Sequence, residues 1–169
     1  MGLGTNRMNK YKYIIRKATQ GLSNYLIKTC GEVGENKGVV ISFDCRNNSS
    51  DFALETALVL CANGIKTYLF SSLRSTPELS FAVRELKCQA GVMITASHNP
   101  KEYNGYKVYY EDGGQLVELQ ASGIVLEVNN VDEFSDVKLI SKGKAIGLGF
   151  LNILNNELDE KYLFQEEEL

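Results

Sequence analysis

The sequence is poor in the residues from which metal centres, redox motifs and membrane anchors are made. It has a single histidine, His98, and its four cysteines, Cys30, Cys45, Cys61 and Cys88, lie 15, 16 and 27 residues apart with no C-x-x-C pair, so metal-knuckle and dithiol readings fall. No stretch approaches the roughly 20 apolar residues that span a bilayer. The opening Met1-Gly2-Leu3-Gly4-Thr5-Asn6-Arg7 lacks the apolar core of a signal peptide, and reduced thiols in the cytoplasm are the expectation. Basic charge is not in excess either. The 18 Lys and Arg are scattered against 21 Asp and Glu, giving a net charge of -3, so neither a nucleic acid nor a membrane surface is expected as a partner.

What is present suffices for one core. The 169 residues are 44% hydrophobic and 23% charged, as in a soluble domain with a tail. Tyr11, Ile14, Ile15, Ala18, Leu22, Tyr25 and Leu26 recur at helical spacing, which predicts a helix over about 9–30 that Gly31 stops. Val39-Val40-Ile41-Ser42-Phe43 reads as a strand covered on both faces. A second helix, capped by Ser49 or Ser50 and followed by Gly64, leads to a strand over 65–71. Thr76-Pro77-Glu78 reads as a helix start with the threonine hydroxyl as cap, the helix running to about Cys88.

Gly91-Val92-Met93-Ile94 then reads as a buried strand. Right-handed crossovers assemble this order into a parallel sheet covered by helices. Only about eight residues, Ser97 to Asn104, separate the last strand from a strand over 105–111, too few for a parallel crossover, so an antiparallel edge strand is expected. The fold class is therefore α/β, a three-layer domain with a mixed, mostly parallel, four-stranded sheet. Beyond it, residues 117–128 suggest a helix weakened by Ser122-Gly123, and Lys138-Leu139-Ile140 a short strand. Residues 1–142 are assigned to one domain and 143–169 to a linker and the opening of a second.

The chemistry concentrates in Thr95-Ala96-Ser97-His98-Asn99-Pro100, followed by Asn104-Gly105-Tyr106-Lys107, which places a hydroxyl, an imidazole and an ammonium around one tight loop. Ser97 falls where a strand ends, and the crevice beyond the carboxyl ends of strands is where open α/β sheets bind ligands. A hairpin would bring Lys107 beside Ser97, with Lys107 and Tyr109 on one face and Tyr106, Val108 and Tyr110 on the other. Taken singly, each residue is ordinary. Ser-His-Asn-Pro is good turn chemistry, a lysine on an edge strand deters aggregation, and Asp44 with Arg46 makes a plausible ion pair at a strand end.

Their joint order is not ordinary. Together with Gly4-Thr5-Asn6-Arg7-Met8-Asn9, Arg16-Lys17-Ala18-Thr19-Gln20-Gly21-Leu22, Phe43-Asp44-Cys45-Arg46 and Thr76-Pro77-Glu78-Leu79-Ser80-Phe81-Ala82-Val83-Arg84, the loop resembles the first domain of the α-D-phosphohexomutases, in particular the bacterial α-phosphoglucomutase and phosphopentomutase-like group. The resemblance implies an isomerase working by intramolecular phosphotransfer. It implies a phosphoserine at Ser97 whose phosphate ligates Mg²⁺, Lys107 as general base, His98 as a partner of phosphate or substrate, and Arg46, Asn104 and Arg7 as supports of the substrate and phosphate site. The implied reaction interconverts glucose 1-phosphate and glucose 6-phosphate through glucose 1,6-bisphosphate.

The family is built of four domains, and the sequence contains no Asp-Gly-Asp-x-Asp-Arg metal loop, no Glu-Glu-Ser-type sugar loop and no C-terminal phosphate-clamping loop. The expectation is a fragment, truncated at its N-terminus, inactive alone and completed by the remaining domains of the same protein. Ser75 replaces the proline that relatives carry before Thr76-Pro77, a change expected to be tolerated. Alternatives stay open: a phosphomannomutase or phosphopentomutase, a receiver-like domain phosphorylated on Asp44, or a remnant without catalysis.

Overall fold

Five consecutive residues without a charge, three of them β-branched, suit a strand screened from water on both faces. In the computed structural model Val39–Phe43, β1, is buried at every position and lies in the middle of a sheet. The structure describes residues 3–96 and 104–167, with side chains described for 11–96 and 104–165. The elements run α1 (Leu3–Lys37), β1, α2 (Ser49–Ala62), β2 (Thr67–Phe70), α3 (Thr76–Glu85), β3 (Ala90–Ile94), β4 (Tyr106–Tyr110), α4 (Glu118–Asn130), α5 (Lys142–Gly147), β5 (Leu151–Leu154) and α6 (Asp159–Glu167). The strand order is β4-β3-β1-β2-β5. β1, β2, β3 and β5 are parallel, and β4 is the antiparallel edge that the short connection requires.

The sheet has five strands among the described residues, not four. The fifth comes from the stretch read as linker: Leu151–Leu154 pairs in parallel with β2, Leu151 opposite Thr67 and Leu154 opposite Phe70. Lys138-Leu139-Ile140, expected as a strand, is irregular and leads into α5, whose N-cap Ser141 accepts the Lys144 amide at 3.3 Å. The sheet therefore extends past residue 142. An edge strand with only its end residues buried carries no continuous apolar run, which is why Leu-Asn-Ile-Leu gave little signal.

Two apolar cores sandwich the sheet. One joins Ile15, Leu22 and Leu26 of α1, Phe52, Ala57 and Leu60 of α2, Ile124 of α4 and Ala145 of α5 to Val39, Ile41, Val92 and Ile94. The other joins Leu79, Ala82 and Val83 of α3 to Val40, Met93 and Tyr109, with Leu158 just before α6 and Tyr162 within it. Burying one such Leu, Ile or Val side chain stabilises by about 1.5–3 kcal/mol.

Helix details differ from expectation in three places. Gly31, with φ of 55° and ψ of -149°, bends α1, and helix resumes to Lys37. Ser75, not Thr76, is the N-cap of α3, accepting the Glu78 amide at 3.4 Å, while Thr76 hydrogen-bonds Tyr109. α4 is continuous through Gly123, because a Cβ there would come within 2.6 Å of the Tyr25 ring and one on Gly21 would overlap Val128. The glycines let α1 and α4 approach closely, and packing outweighs propensity.

Candidate active site

The parallel strands deliver their carboxyl ends to one edge of the sheet, and β4 begins at that same edge because it runs the other way. Alternation along the strands puts Val40 and Ser42 of β1, Gly91 and Met93 of β3, and Lys107 and Tyr109 of β4 on the side facing α3. Lys107 is half-buried and stands opposite Met93, one residue into β4. Tyr106 faces the other way, its hydroxyl 3.1 Å from Thr19 Oγ1 of α1. The two-faced reading of β4 is thus realised at Lys107, Tyr106, Val108 and Tyr109.

Just past β1, Asp44 collects the neighbouring loops. Its amide donates to the Ile94 carbonyl at 3.2 Å, extending the β1–β3 pairing by one step. Its carboxylate accepts the Arg46 amide on Oδ1 at 2.9 Å, the Arg46 Nε on Oδ2 at 2.9 Å and the Ser49 hydroxyl on Oδ1 at 2.8 Å. The Thr95 hydroxyl also hydrogen-bonds this carboxylate. Burial pushes the Asp44 carboxyl up, but the bonds from Thr95, Arg46 and Ser49 and the Arg46 guanidinium together hold it below its ordinary value.

Asn104 joins the same cluster from the far side. Its Oδ1 lies 3.1 Å from the Ser49 hydroxyl, and its Nδ2 donates to the Asn47 carbonyl at 2.9 Å. The expected capping role of Ser49 is replaced by these contacts: the N-cap of α2 is Asn48, in the left-handed region with φ of 63°, and no side chain caps the helix. Ser49 is fully buried, so its hydroxyl must find a partner in the protein, and its one proton lies between Asp44 Oδ1 and Asn104 Oδ1. The Thr95 amide donates to the Gly105 carbonyl at 3.0 Å, so 95–96 and 104–105 form two stems held side by side. A Cβ at 105 would come within 2.6 Å of the Thr95 carbonyl oxygen, and glycine permits this approach.

Of the sequence candidates, the structure brings Arg46 and Asn104 together around Asp44, and places Lys107 two residues beyond Gly105 on β4. Ser97 and His98 lie outside the described residues, and only the backbone of Arg7, in α1, is described. Asp44, Ser49 and Thr95 are the members that sequence reasoning left out of the site. Asp44 was visible as a partner of Arg46 two residues away, but Ser49 and Thr95 reach it only across the fold.

The comparisons agree with the fold. The family described as "Phosphoglucomutase/phosphomannomutase, alpha/beta/alpha domain I" matches residues 4–135. The chain is 42% identical over 168 residues to a phosphoglucomutase of Staphylococcus haemolyticus, a match that covers 99% of this chain and 27% of that protein. It is 45% identical over 130 residues to the human phosphopentomutase, covering 73% of this chain and 21% of that protein. Among solved structures, one titled as a putative phosphomannomutase from Thermus thermophilus superposes with a TM-score of 0.68 at 28% identity, covering 84% of this chain and 29% of that one. The chain spans about a quarter of the length of its first curated relatives. The chain belongs to the phosphoglucomutase/phosphomannomutase family, as its alpha/beta/alpha domain I.

Proposed function

We propose that this domain is the phosphoryl carrier of a phosphoglucomutase-type isomerase, with Ser97 as the residue that is phosphorylated. In the forward half-reaction a free hydroxyl of glucose 1-phosphate attacks the phosphorus on Ser97. The O–P bond to the sugar forms and the Oγ–P bond of Ser97 breaks; Lys107 is assigned as the general base that takes the hydroxyl proton, and it returns that proton to the sugar oxygen freed when the Ser97 oxygen takes back the other phosphoryl group. The product, glucose 1,6-bisphosphate, then returns its other phosphoryl group to Ser97 and leaves glucose 6-phosphate. Positioning and positive charge dominate such transfers. His98, Arg46, Asn104 and Arg7 are assigned to holding phosphate and sugar. The remaining domains of the longer protein would supply the sugar-reading and metal-binding parts, and a cytoplasmic location fits free thiols and a sugar-phosphate substrate.

The observation that carries this reading is the joining of 95–96 to 104–105 at the carboxyl edge of the sheet, with Lys107 two residues further on. Such a corner anchors the backbone on either side of Ser97. Mg²⁺ is a different matter. Among the described residues no group of three or more His, Cys, Asp or Glu could hold a metal, and Mg²⁺ wants near-octahedral oxygen ligands with one or two carboxylates beside a phosphate. The described residues do not make a Mg²⁺ site, and its further ligands are assigned to parts of the protein beyond this chain.

A chimera tests the function. This chain would replace the matching quarter of the Staphylococcus haemolyticus phosphoglucomutase, and conversion of glucose 1-phosphate, mannose 1-phosphate and ribose 1-phosphate would be compared, with Ser97→Ala as control. Turnover of glucose 1-phosphate that vanishes in the control supports the proposal, and a folded chimera inert on all three sugars refutes it. The 45% identity to the human phosphopentomutase favours a second reading, a pentose substrate, which the ribose arm decides. The domain boundary is proposed to lie after β5, since that strand belongs to the first sheet.

A further inference from the structure

We propose that Asp44 is a positioning residue, the carboxylate that holds both stems of the Ser97 loop; the role rests on the function proposed above, but the contacts do not. Thr95 enters the loop and Asn104 leaves it. Thr95 bonds the Asp44 carboxylate directly, and Asn104 is linked to it by the single Ser49 hydroxyl proton, shared between Asp44 Oδ1 at 2.8 Å and Asn104 Oδ1 at 3.1 Å. The third support, Arg46, occupies Oδ1 through its amide and Oδ2 through Nε. Thr95 and Ser49 are buried, and the Arg46 and Asp44 side chains are 10% and 22% exposed, so these bonds are partly shielded from water.

Every group around Asp44 in this set donates a hydrogen bond: an amide, a guanidinium and two hydroxyls. Only an acceptor without protons satisfies all of them, and an ionised carboxylate offers about four lone-pair sites. Asparagine has nearly the same shape, but its NH₂ would face one of these donors. Both oxygens of Asp44 are engaged, so it is poorly disposed to act as a nucleophile, and the receiver-like reading with phosphorylation at Asp44 loses its support. Fixing the backbone at 95 and 104 matters for phosphoryl transfer, where displacement of a reacting group by about 1 Å costs on the order of a hundredfold in rate.

The test compares Asp44→Asn, Thr95→Val and Thr95→Ser with Ser42→Ala, whose buried hydroxyl donates to the Arg74 carbonyl at 3.0 Å and touches neither stem. Hydrogen exchange of the full chain is read at 94–96 and 104–106, after correction for each variant's global stability. Asp44→Asn is expected to speed exchange at both stems about tenfold, the loss of one charge-assisted bond, and Thr95→Val to do so at 94–96, while Thr95→Ser and Ser42→Ala do neither. In the chimera the same two variants lower kcat with little change in KM. Acceleration in Asp44→Asn that is spread evenly over the domain, confined to one stem, or unaccompanied by a fall in kcat overturns the proposal. Should the unmodified chimera lack activity, the phosphomutase reading fails instead, and the exchange pattern still decides whether Asp44 holds the stems.

Discussion

The carbonyl of Gly105 accepts the Thr95 amide at 3.0 Å, and the Thr95 carbonyl lies where a Cβ at 105 would come within 2.6 Å of it. The two strands bracketing the candidate loop are therefore closer than any residue with a side chain allows. Gly105→Ala is expected to push the stems apart and destabilise the fold by about 1–3 kcal/mol, the range for overpacked sites. Urea unfolding measures it, and an unchanged midpoint would show that the approach is not needed.

Arg74 ties the exit of the domain to its centre. Its amide donates to the Phe43 carbonyl at 3.2 Å, its Nε and Nη2 grip Asp159 at 3.0 and 2.9 Å, and Glu78 lies 3.3 Å from Nε. Removing the guanidinium in Arg74→Ala leaves Glu78 facing Asp159 without a counter-charge. A loss of about 1.5–3 kcal/mol is expected, the range for hydrogen bonds to charged groups, since Asp159 is partly exposed to solvent. Exchange of α6 amides should rise first, because Asp159 opens that helix.

Acid titration should separate two carboxyls of opposite sign. The Asp44 carboxyl is held below its ordinary value of 3.8, so its stabilising contribution is complete above that pH and is lost as pH falls through the lowered value. For Glu78, burial and the hydrogen bond and charge of Asp159 push the carboxyl above its ordinary 4.5 against the pull of Arg74. Its contribution is present below pH 4.5 and is lost as pH rises through the raised value. Unfolding free energies measured from acid to neutral pH should flatten at the acid end in Asp44→Asn and just above pH 4.5 in Glu78→Gln. Variants with the slope of the unmodified protein would contradict the assignment.

Tyr106→Phe probes the helix side of β4. Burial pushes the phenol up, against its bond to Thr19, whose hydroxyl also donates to the Ile15 carbonyl at 2.7 Å. Thr19 keeps a partner when the phenol is gone, so the loss should be only about 1 kcal/mol, measured by chemical unfolding. A loss several times larger would mean that the Tyr106 hydroxyl supports more than this contact.

Local chemistry carried most of the architecture. Continuous apolar residues marked β1 and β3 because both strands are covered on both faces, and the short connection before Tyr106 required an antiparallel β4. β5 escaped notice because an edge strand buries only one residue at each end, so its pairing with β2 leaves little trace in composition. α4 looked weak at Gly123 because propensity counts the missing side chain as a cost, whereas the Tyr25 ring makes it a requirement.

At the site the division follows distance along the chain. Residue order named Ser97, His98 and Lys107 as candidates through short motifs, and it suggested the Asp44–Arg46 pair, which the structure shows. The convergence of Ser49, Thr95 and Asn104 on Asp44 arose from folding: residues 5, 51 and 60 positions from Asp44 meet because parallel pairing of β1 with β3, and the return of β4, bring their ends to one edge. No local pattern encodes that meeting, because it depends on which strands become neighbours.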